Sequence, residues 1–189
     1  MAAALAARLG VPHVELDAVF HRPGWIALPE DEFRRRVALA AERDGWVIDG
    51  NYSAVRHLVW QRADTVVWLD LPRALVMRRI VGRTLARLLL RRALWNGNRE
   101  RWRNLTTLDP EESVIVWSWT HHTTYRDRYA AAIEDPTWSH CRFVRLRSPG
   151  EVRAFLAGLV SDTMPPAGWC PPREKGRAAG DDLGSGPQI

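Results

Sequence analysis

Two carboxylates stand directly after short apolar runs, in Val47-Ile48-Asp49-Gly50 and in Val67-Trp68-Leu69-Asp70. Open α/β sheets bind their ligands at the carboxyl ends of parallel strands, where an aspartate can hold Mg²⁺ or a reacting hydroxyl beside phosphate groups. The same pattern also describes an aspartate that only closes a turn at the end of a strand. Asp49 is therefore a candidate catalytic residue, with the turn role kept open beside it.

Arginine is unevenly distributed along the chain. Of the 27 basic residues, 26 are arginine and one is Lys175. Between Arg73 and Arg103 there are ten arginines and one acidic residue, Glu100, a net charge of +9 in a chain whose total is +5. Such a field attracts polyanions, either phosphate groups or a nucleic acid. A genome rich in arginine codons would explain the preference over lysine without any function.

Alternating strands and helices are predicted to carry these side chains. Helical spacing of apolar residues, with glycines and prolines at the ends, predicts helices at 2–9, 29–43, 54–60, 72–92, 110–133 (one helix or a pair) and 149–160. Short β-rich runs predict strands at 13–16, 46–49, 65–71 and 142–146. The fold class is therefore α/β, a parallel sheet covered by helices. The strand 65–71 is apolar at successive positions, which predicts burial on both faces.

The composition indicates one domain. With 189 residues, 46% of them hydrophobic and 26% charged, the chain can bury one core. We expect a domain at 1–160, with a lid at about 93–110, and a disordered tail at 161–189, where glycine and proline are frequent. No apolar run approaches the roughly 18 residues of a membrane span, so we expect a cytoplasmic protein without membrane contact. Two cysteines cannot form a disulfide scaffold, and adjacent His121 and His122 point to different helix faces, so no metal site is predicted.

Five pieces of the sequence, in one order over about residues 1–160, carry a family resemblance. They are Leu16-Asp17, Pro23-Gly24-Trp25, Trp46-Val47-Ile48-Asp49-Gly50-Asn51-Tyr52, Ala63-Asp64-Thr65-Val66-Val67-Trp68-Leu69-Asp70 and Trp95-Asn96-Gly97-Asn98-Arg99-Glu100. Together they resemble the adenylate-kinase-like P-loop proteins that bacterial genomes label topology modulation proteins. The resemblance implies a P-loop nucleotide-kinase-like sheet and an ATP-dependent phosphotransferase that uses ATP and Mg²⁺. The acceptor would be a nucleotide or a small hydroxyl compound.

The resemblance also implies roles for single residues. Asp49-Gly50 is similar to the Asp-Gly of adenylate kinases near the phosphates and the acceptor, so Asp49 would organise Mg²⁺ or the acceptor. Arg79 and Arg83 resemble the arginine pair at the entrance of the kinase lid, one on the adenine and one on phosphates. Arg126 and Arg128 resemble the phosphate-binding arginines of the helix after the lid. Guanidinium groups suit this task because phosphoryl transfer mainly needs charge neutralisation and alignment. For each arginine, a solvated helix surface is the alternative.

The acceptor side departs from the family pattern. Asn51-Tyr52 stands where adenylate kinases usually have Phe-Pro, so the acceptor need not be AMP. Asp17 would face the same cleft and bind an acceptor hydroxyl, or else cap a helix or turn. Trp25 would stack on a base, or else cover the core.

The largest departure is the phosphate-binding loop itself. No G-x-x-x-x-G-K-[ST] motif occurs, and the single lysine, Lys175, follows no glycine-rich loop. Residues 1–10 resemble the rest of the helix that follows this loop, so we expect that the chain begins inside the first helix and that the start codon is assigned too far downstream. The first strand would then be missing between the strands that end at Asp49 and Asp70, leaving two edges facing a gap. We expect a protein of low stability, inactive or weakened in ATP binding.

Two other readings remain open. The arginine-rich surface at 73–103 would serve a nucleic-acid-binding or regulatory protein. The chain would otherwise be a truncated product without function. The oligomeric state is left open.

Overall fold

The computed structural model describes residues 1–91, 93–99, 102, 107, 109 and 113–161. The helices are α1 (Ala2–Leu9), α2 (Leu16–Phe20), α3 (Glu30–Ala41), α4 (Ser53–Trp60), α5 (Arg73–Leu89), α6 (Val114–Glu134) and α7 (Pro149–Ser161). The strands are β1 (His13–Glu15), β2 (His21–Arg22), β3 (Ile26–Ala27), β4 (Val47–Asp49), β5 (Thr65–Leu69) and β6 (Arg142–Leu146). Short 3-10 turns lie at Pro23–Trp25, Trp95–Gly97 and Pro136–Trp138.

The strands form small sheets rather than one continuous sheet. β1 pairs with β4 in parallel, with Glu15 opposite Asp49, and β5 pairs with β6 in parallel, with Leu69 opposite Leu146. β2 and β3 form an antiparallel hairpin. Among the described strands, β4 and β5 do not pair with each other. The expected α/β class, with parallel strand pairs and helices, is confirmed.

Local sequence explains where the first elements end. The predicted helix at 2–9 is confirmed, and Gly10 ends it in the left-handed conformation at φ 66°, which glycine adopts without a steric penalty. The predicted strand at 13–16 is one residue shorter, because Leu16 begins helix α2. Neither α2 nor the β2–β3 hairpin was predicted. Helix α5 ends at Leu89, three residues before the predicted end.

The core lies between helices α3 and α4 and the strands beside them. Phe33 and Val37 of α3 and Val55 of α4 are almost completely buried. Burying side chains of this size contributes roughly 1.5–3 kcal/mol each. An aromatic cluster of Phe20, Phe33 and Tyr52 joins α2 to this core, with ring centroids 4.8–5.2 Å apart.

Strand β5 corrects one prediction. Val66 and Trp68 are buried, but Thr65 and Val67 are only half-buried and Leu69 is 43% exposed. The expected burial on both faces is therefore wrong, because the side chains of Thr65, Val67 and Leu69 share one face of the strand and that face is incompletely covered. In the part of the chain that the structure describes, no helix is long and apolar enough to cross a membrane. The expected tail beyond residue 161 and the later part of the expected lid lie outside the described residues.

Candidate functional site

A cavity is lined by residues of both β4 and β5, and along β5 it lies against the first half of the strand, Thr65 to Val67. It contains about 550 Å³ of space free of protein atoms, part of it open to solvent. Its lining residues come from both strands and from helices α4 and α6: Trp46, Ile48, Gly50, Asn51, Tyr52, Arg56, Val59, Trp60, Ala63, Thr65, Val66, Val67 and Tyr129. The cavity wall is mixed, with apolar side chains beside polar groups that include Asn51, Tyr52 and Arg56.

Arg56 is the charged group in the cavity wall. It projects from α4, and its Nε and Nη2 donate hydrogen bonds to Asn51 Oδ1 at 3.1 and 2.8 Å. Partial burial lowers the pKa of Arg56, and the nearby positive charge of Arg128 lowers it further. Within the described residues, no carboxylate forms an ion pair with Arg56 or Arg128. A guanidinium group that has no carboxylate partner and lies in the field of a second positive charge favours the binding of an anion.

Two further arginines surround Asp70, just after β5, and together with it they form the basic side of the site. The Asp70 side chain is only 3% exposed. Arg145 of β6 donates to its Oδ2 from Nε and Nη2 at 2.9 and 2.6 Å. Arg126 of α6 donates from Nε to Oδ1 at 2.8 Å. One carboxylate therefore holds two guanidinium groups, which leaves a net charge of about +1.

Arg145 is held in place by a ring as well as by Asp70. Its guanidinium lies 4.3 Å from the ring centroid of Trp68, its partner in the β5–β6 register. The Trp68 ring also stacks on the Tyr129 ring, and their centroids are 5.4 Å apart. The stacking connects the Asp70 group with Tyr129, which lines the cavity.

Carboxylates end both strands of the β1–β4 pair, and they form the acidic side of the site. Asp49 and Glu15 are opposite each other in the β1–β4 register, and His13 lies between them, with Nε2 3.8 Å from Asp49 Oδ2 and Nδ1 3.9 Å from Glu15 Oε1. The Asp49 side chain is 58% exposed. It is therefore accessible to a ligand at the carboxyl end of the strands, as its place in the sequence predicts.

Tyr52 and Asp17 form a polar pair beside this group. The Tyr52 hydroxyl donates to Asp17 Oδ1 at 2.6 Å, and His21 Nε2 lies 3.5 Å from the same hydroxyl. Burial raises the pKa of Tyr52, and the hydrogen bond and charge of Asp17 raise it further. Burial also lowers the pKa of His21, an effect that the charge of Asp17 opposes in part.

Gly50 allows the chain to turn from β4 toward Tyr52. Its φ is +135°, which side-chain-bearing residues rarely adopt, and a Cβ there would lie 2.8 Å from Leu16 Cβ. The residue therefore has a structural role in bringing Asn51 and Tyr52 to the cavity.

Trp25 is occupied by contacts with the segment 95–99. Its backbone N–H donates to Asn98 Oδ1 at 3.0 Å, and its indole Nε1 donates to the Arg99 carbonyl at 3.0 Å. Trp95 in turn donates to Glu15 Oε2 at 2.6 Å. The start of the expected lid thus packs on the acidic side of the site, and Trp25 serves as part of that contact.

Of the predicted site residues, Gly50, Asn51 and Tyr52 line the cavity, and Asp17 is bonded to Tyr52. Asp49 ends β4 and does not line the cavity. Arg126 contacts Asp70, and Arg128 lies over the ring of Tyr125.

Arg79 and Arg83 are the predicted residues that show no such contact. Both lie on the exposed surface of α5, and neither takes part in an ion pair within the described residues.

Arg56, Asp70 and Arg145 are site residues that the sequence interpretation did not include. Asp70 carried a signal, since it follows an apolar strand as Asp49 does. Arg56 and Arg145 carried none, because the groups that make them part of the site, Arg128 and Asp70, are distant from them in sequence.

The donor groups fit phosphate oxygens better than a metal held by the protein alone. Within the described part of the chain, no group of three or more His, Cys, Asp and Glu side chains could hold a metal ion. Asp49 could still supply one ligand to Mg²⁺, which commonly takes one or two carboxylates and receives its other ligands from water and phosphates.

Comparison with known proteins gives no relative from which a role could be transferred. No family model, no curated protein and no solved structure matches this chain.

Proposed function

We propose that the chain binds the phosphate groups of a nucleotide at the mouth of the cavity and belongs to the ATP-dependent phosphotransferases of the adenylate-kinase-like P-loop superfamily. The observation that carries this proposal is Arg56, whose guanidinium lines the cavity and has no carboxylate partner among the described residues, while the positive charge of Arg128 acts on it. Phosphate is the common biological anion that can share several guanidinium donors at once.

The surrounding groups suit a phosphoryl-transfer site. Arg56 and Arg128 would neutralise the phosphates, and Arg126, oriented by Asp70, would add a further guanidinium. Asp49 would hold Mg²⁺ or orient the acceptor, since its carboxylate is exposed at the end of β4. Asp17, already hydrogen-bonded to Tyr52, would receive an acceptor hydroxyl.

The two parallel strand pairs support the proposed P-loop kinase-like fold. In such open α/β folds the ligand binds beyond the carboxyl ends of the strands, and here carboxylates follow β4 while the Asp70–Arg126–Arg145 group follows β5. The sequence has no G-x-x-x-x-G-K-[ST] loop. Phosphate affinity is therefore expected to depend on arginines, and to be weaker than in a kinase that also uses a loop of backbone amides.

Calorimetric titration with Mg²⁺-ATP and with inorganic phosphate tests this proposal. We expect Arg56→Gln and Arg128→Gln each to raise the dissociation constant roughly tenfold, because each removes a charged hydrogen-bond donor worth about 1.5–3 kcal/mol. Arg153→Gln, on α7 and outside the cavity lining, is the matched control and should bind as the parent does. Equal affinity in all variants would refute a phosphate site at Arg56 and Arg128.

Phosphoryl transfer needs its own assay. ADP formation should be followed with nucleoside monophosphates and with small alcohols as acceptors. Asp49→Asn is expected to lower turnover while leaving the phosphate affinity within about threefold, since Asp49 lies on the acidic side of the site. If ATP binds and no acceptor is phosphorylated, the binding proposal stands and the phosphotransferase assignment is wrong.

A nucleic-acid-binding function is the second candidate, because helix α5 contains no acidic residue and exposes Arg78, Arg79 and Arg83. A site of this kind predicts affinity for duplex DNA or RNA that falls steeply with salt, and that weakens modestly with each arginine removed from α5. Asp49→Asn would leave it unchanged. Salt-independent or undetectable binding would exclude this function for α5.

A further inference from the structure

Helix α6 carries three aromatic side chains that do not belong to the hydrophobic core. Trp117, His121 and Tyr125 follow one another at intervals of four residues, which places them on one face of the helix. The Trp117 ring centroid lies 4.8 Å from that of His121, at an interplanar angle of 18°, and 5.4 Å from that of Tyr125. Trp117 nevertheless remains 38% exposed. These three side chains, here called the aromatic row, present stacked rings at the surface.

The aromatic row extends past the carboxyl end of strand β5. Tyr129 of α6 stacks on Trp68 within β5, and one turn or more earlier on α6, His122 Nε2 lies 3.1 Å from the carbonyl oxygen of Leu71, which follows β5. The helix and the strand therefore run in opposite directions. Trp117 precedes His122 by five residues, which is about 7 Å along a helix. It lies beyond the strand end, where open α/β folds bind their ligands.

One end of the aromatic row is next to a positive charge. The Arg128 guanidinium lies 5.3 Å from the Tyr125 ring centroid, and its charge lowers the pKa of Arg56 in the cavity wall. Tyr125 in turn contacts Trp117. The two short contacts place the guanidinium of Arg128 and the exposed indole of Trp117 within the span from base to phosphates in one nucleotide.

We propose that the aromatic row binds the base of a purine nucleotide whose phosphates lie at Arg128 and Arg56. A base has a planar face that stacks on aromatic side chains, and a purine covers more ring surface than a pyrimidine does. The inference rests on the phosphate site of the proposed function and deepens it, because it names the class of nucleotide.

Other ligands fit these groups less well. A cation would be attracted to the ring faces, but Arg128 would repel it, and residues 113–126 contain no acidic residue to compensate. An apolar ligand would cover the rings and leave Arg128 unused. A nucleic acid strand repeats the chemistry of a nucleotide, but Trp117 is the one member of the aromatic row that is more than a third exposed. That surface accommodates one base rather than several.

Calorimetric titration of the full chain with ATP and with inorganic tripolyphosphate tests the base site. Trp117→Leu is expected to raise the dissociation constant for ATP roughly tenfold, because it removes one contact between a base and a ring. It should leave the dissociation constant for tripolyphosphate within twofold. Trp117→Tyr keeps a ring and should restore most of the affinity for ATP. Arg56→Gln should weaken both ligands, which separates the phosphate site from the base site.

Trp119→Leu is the matched control. Trp119 lies on the same helix and is 53% exposed, but its ring packs against Arg73, with the guanidinium 5.0 Å from the ring centroid, away from the aromatic row. This variant should bind both ligands as the parent does. Proton NMR gives a direct reading of stacking. The H2 and H8 signals of ATP should shift upfield on binding to the parent and to Trp119→Leu, and much less on binding to Trp117→Leu.

Two results would overturn the base site while leaving the phosphate site in place. One is equal affinity of the parent for ATP and tripolyphosphate, since the base would then contribute nothing. The other is an equal loss of affinity for both ligands in Trp117→Leu, since the ring would then have a structural role only.

Adenosine and a deoxyadenosine octamer decide the remaining cases. If tripolyphosphate does not bind, and adenosine binds as well as ATP with the same dependence on Trp117, the row binds a base and the phosphate site is wrong. If neither ATP nor adenosine binds at millimolar concentration, the base site is wrong. An octamer that binds more than a hundredfold tighter than ATP, and loses this affinity in Trp117→Leu, would make single-stranded nucleic acid the ligand and overturn the proposal.

Discussion

Asp70 is the residue whose replacement tests the basic side of the site most directly. Its carboxylate is 3% exposed and accepts hydrogen bonds from Arg126 and Arg145 at 2.6–2.9 Å. Asp70→Asn keeps the shape of the side chain and removes its charge. Two guanidinium groups would then remain next to each other with a neutral amide between them.

The expected loss of stability follows from the burial of the three groups. Removing one partner of a fully buried ion pair destabilises a protein by about 3–5 kcal/mol. Arg126 and Arg145 are 50% and 31% exposed, so water screens part of the uncompensated charge, and we expect about 2 kcal/mol. For a protein of this size, that corresponds to a decrease in Tm of roughly 4–8 °C.

Urea denaturation followed by circular dichroism measures this change, and the two arginines provide matched comparisons. Arg145→Met should cost more than Arg126→Met, because Arg145 makes two short bonds to Asp70 and also stacks on Trp68, 4.3 Å from the ring centroid. Methionine keeps most of the apolar stem in both variants.

Phosphate supplies a second measurement on the same variant. In Asp70→Asn the charges of Arg126 and Arg145 are no longer neutralised, so inorganic phosphate should stabilise the variant more than the parent protein at equal ionic strength. Sodium chloride is the control. A loss below about 0.5 kcal/mol, with no added response to phosphate, would refute the assignment of Asp70 as the group that holds these arginines together.

Three further outcomes are expected on the acidic side of the site. Gly50→Ala should destabilise the protein by about 2 kcal/mol in urea denaturation, because of φ +135° and the 2.8 Å approach to Leu16 Cβ; an unchanged midpoint would contradict this. Tyr52→Phe removes the hydrogen bond to Asp17 and should cost about 1.5 kcal/mol, and absorbance at 295 nm should show that Tyr52 does not ionise at pH 10, because its pKa is raised. The pKa of His21 is lowered by burial, so below its usual pKa near 6.5 the unfolded chain binds more protons than the folded one. Stability should therefore fall as pH decreases from about 7 to 5, and His21→Gln should reduce that slope; an equal slope would assign the loss to other groups.

The sequence predicted the elements whose signals are local. The apolar face of α3, with Phe33 and Val37, follows from helical spacing, and the end of α1 follows from Gly10. Helix α2 was missed because its five residues, Leu16–Phe20, are too few for a helical period to show. It is stabilised by tertiary contacts of Phe20 with Phe33 and Tyr52, which no local pattern reveals.

The residues of the candidate site likewise comprise some with a local sequence signal and some without one. Asp49 could be identified because it ends a strand, where parallel sheets bring polar groups to one edge, whereas Tyr52 was named only through the family resemblance. Arg56 could not be, since its position depends on Asn51 and its pKa on Arg128, which comes from a helix much later in the chain. For Arg79 and Arg83, the element was predicted but the surroundings were not. Helical spacing placed them correctly on α5, but spacing alone does not determine which face meets a ligand.

The cavity and the charged groups are parts of one arrangement. Asp49 belongs to the β1–β4 pair and Asp70 to the β5–β6 pair, and residues of both β4 and β5 line the cavity. In the described part of the chain, no strand hydrogen bonds fix the distance between the two pairs. A nucleotide that contacts both pairs would fix that distance, and with it the separation of Asp49 from the arginines around Asp70. Because this ordering uses part of the binding energy, the observed affinity for the nucleotide would be lower than the contacts alone predict.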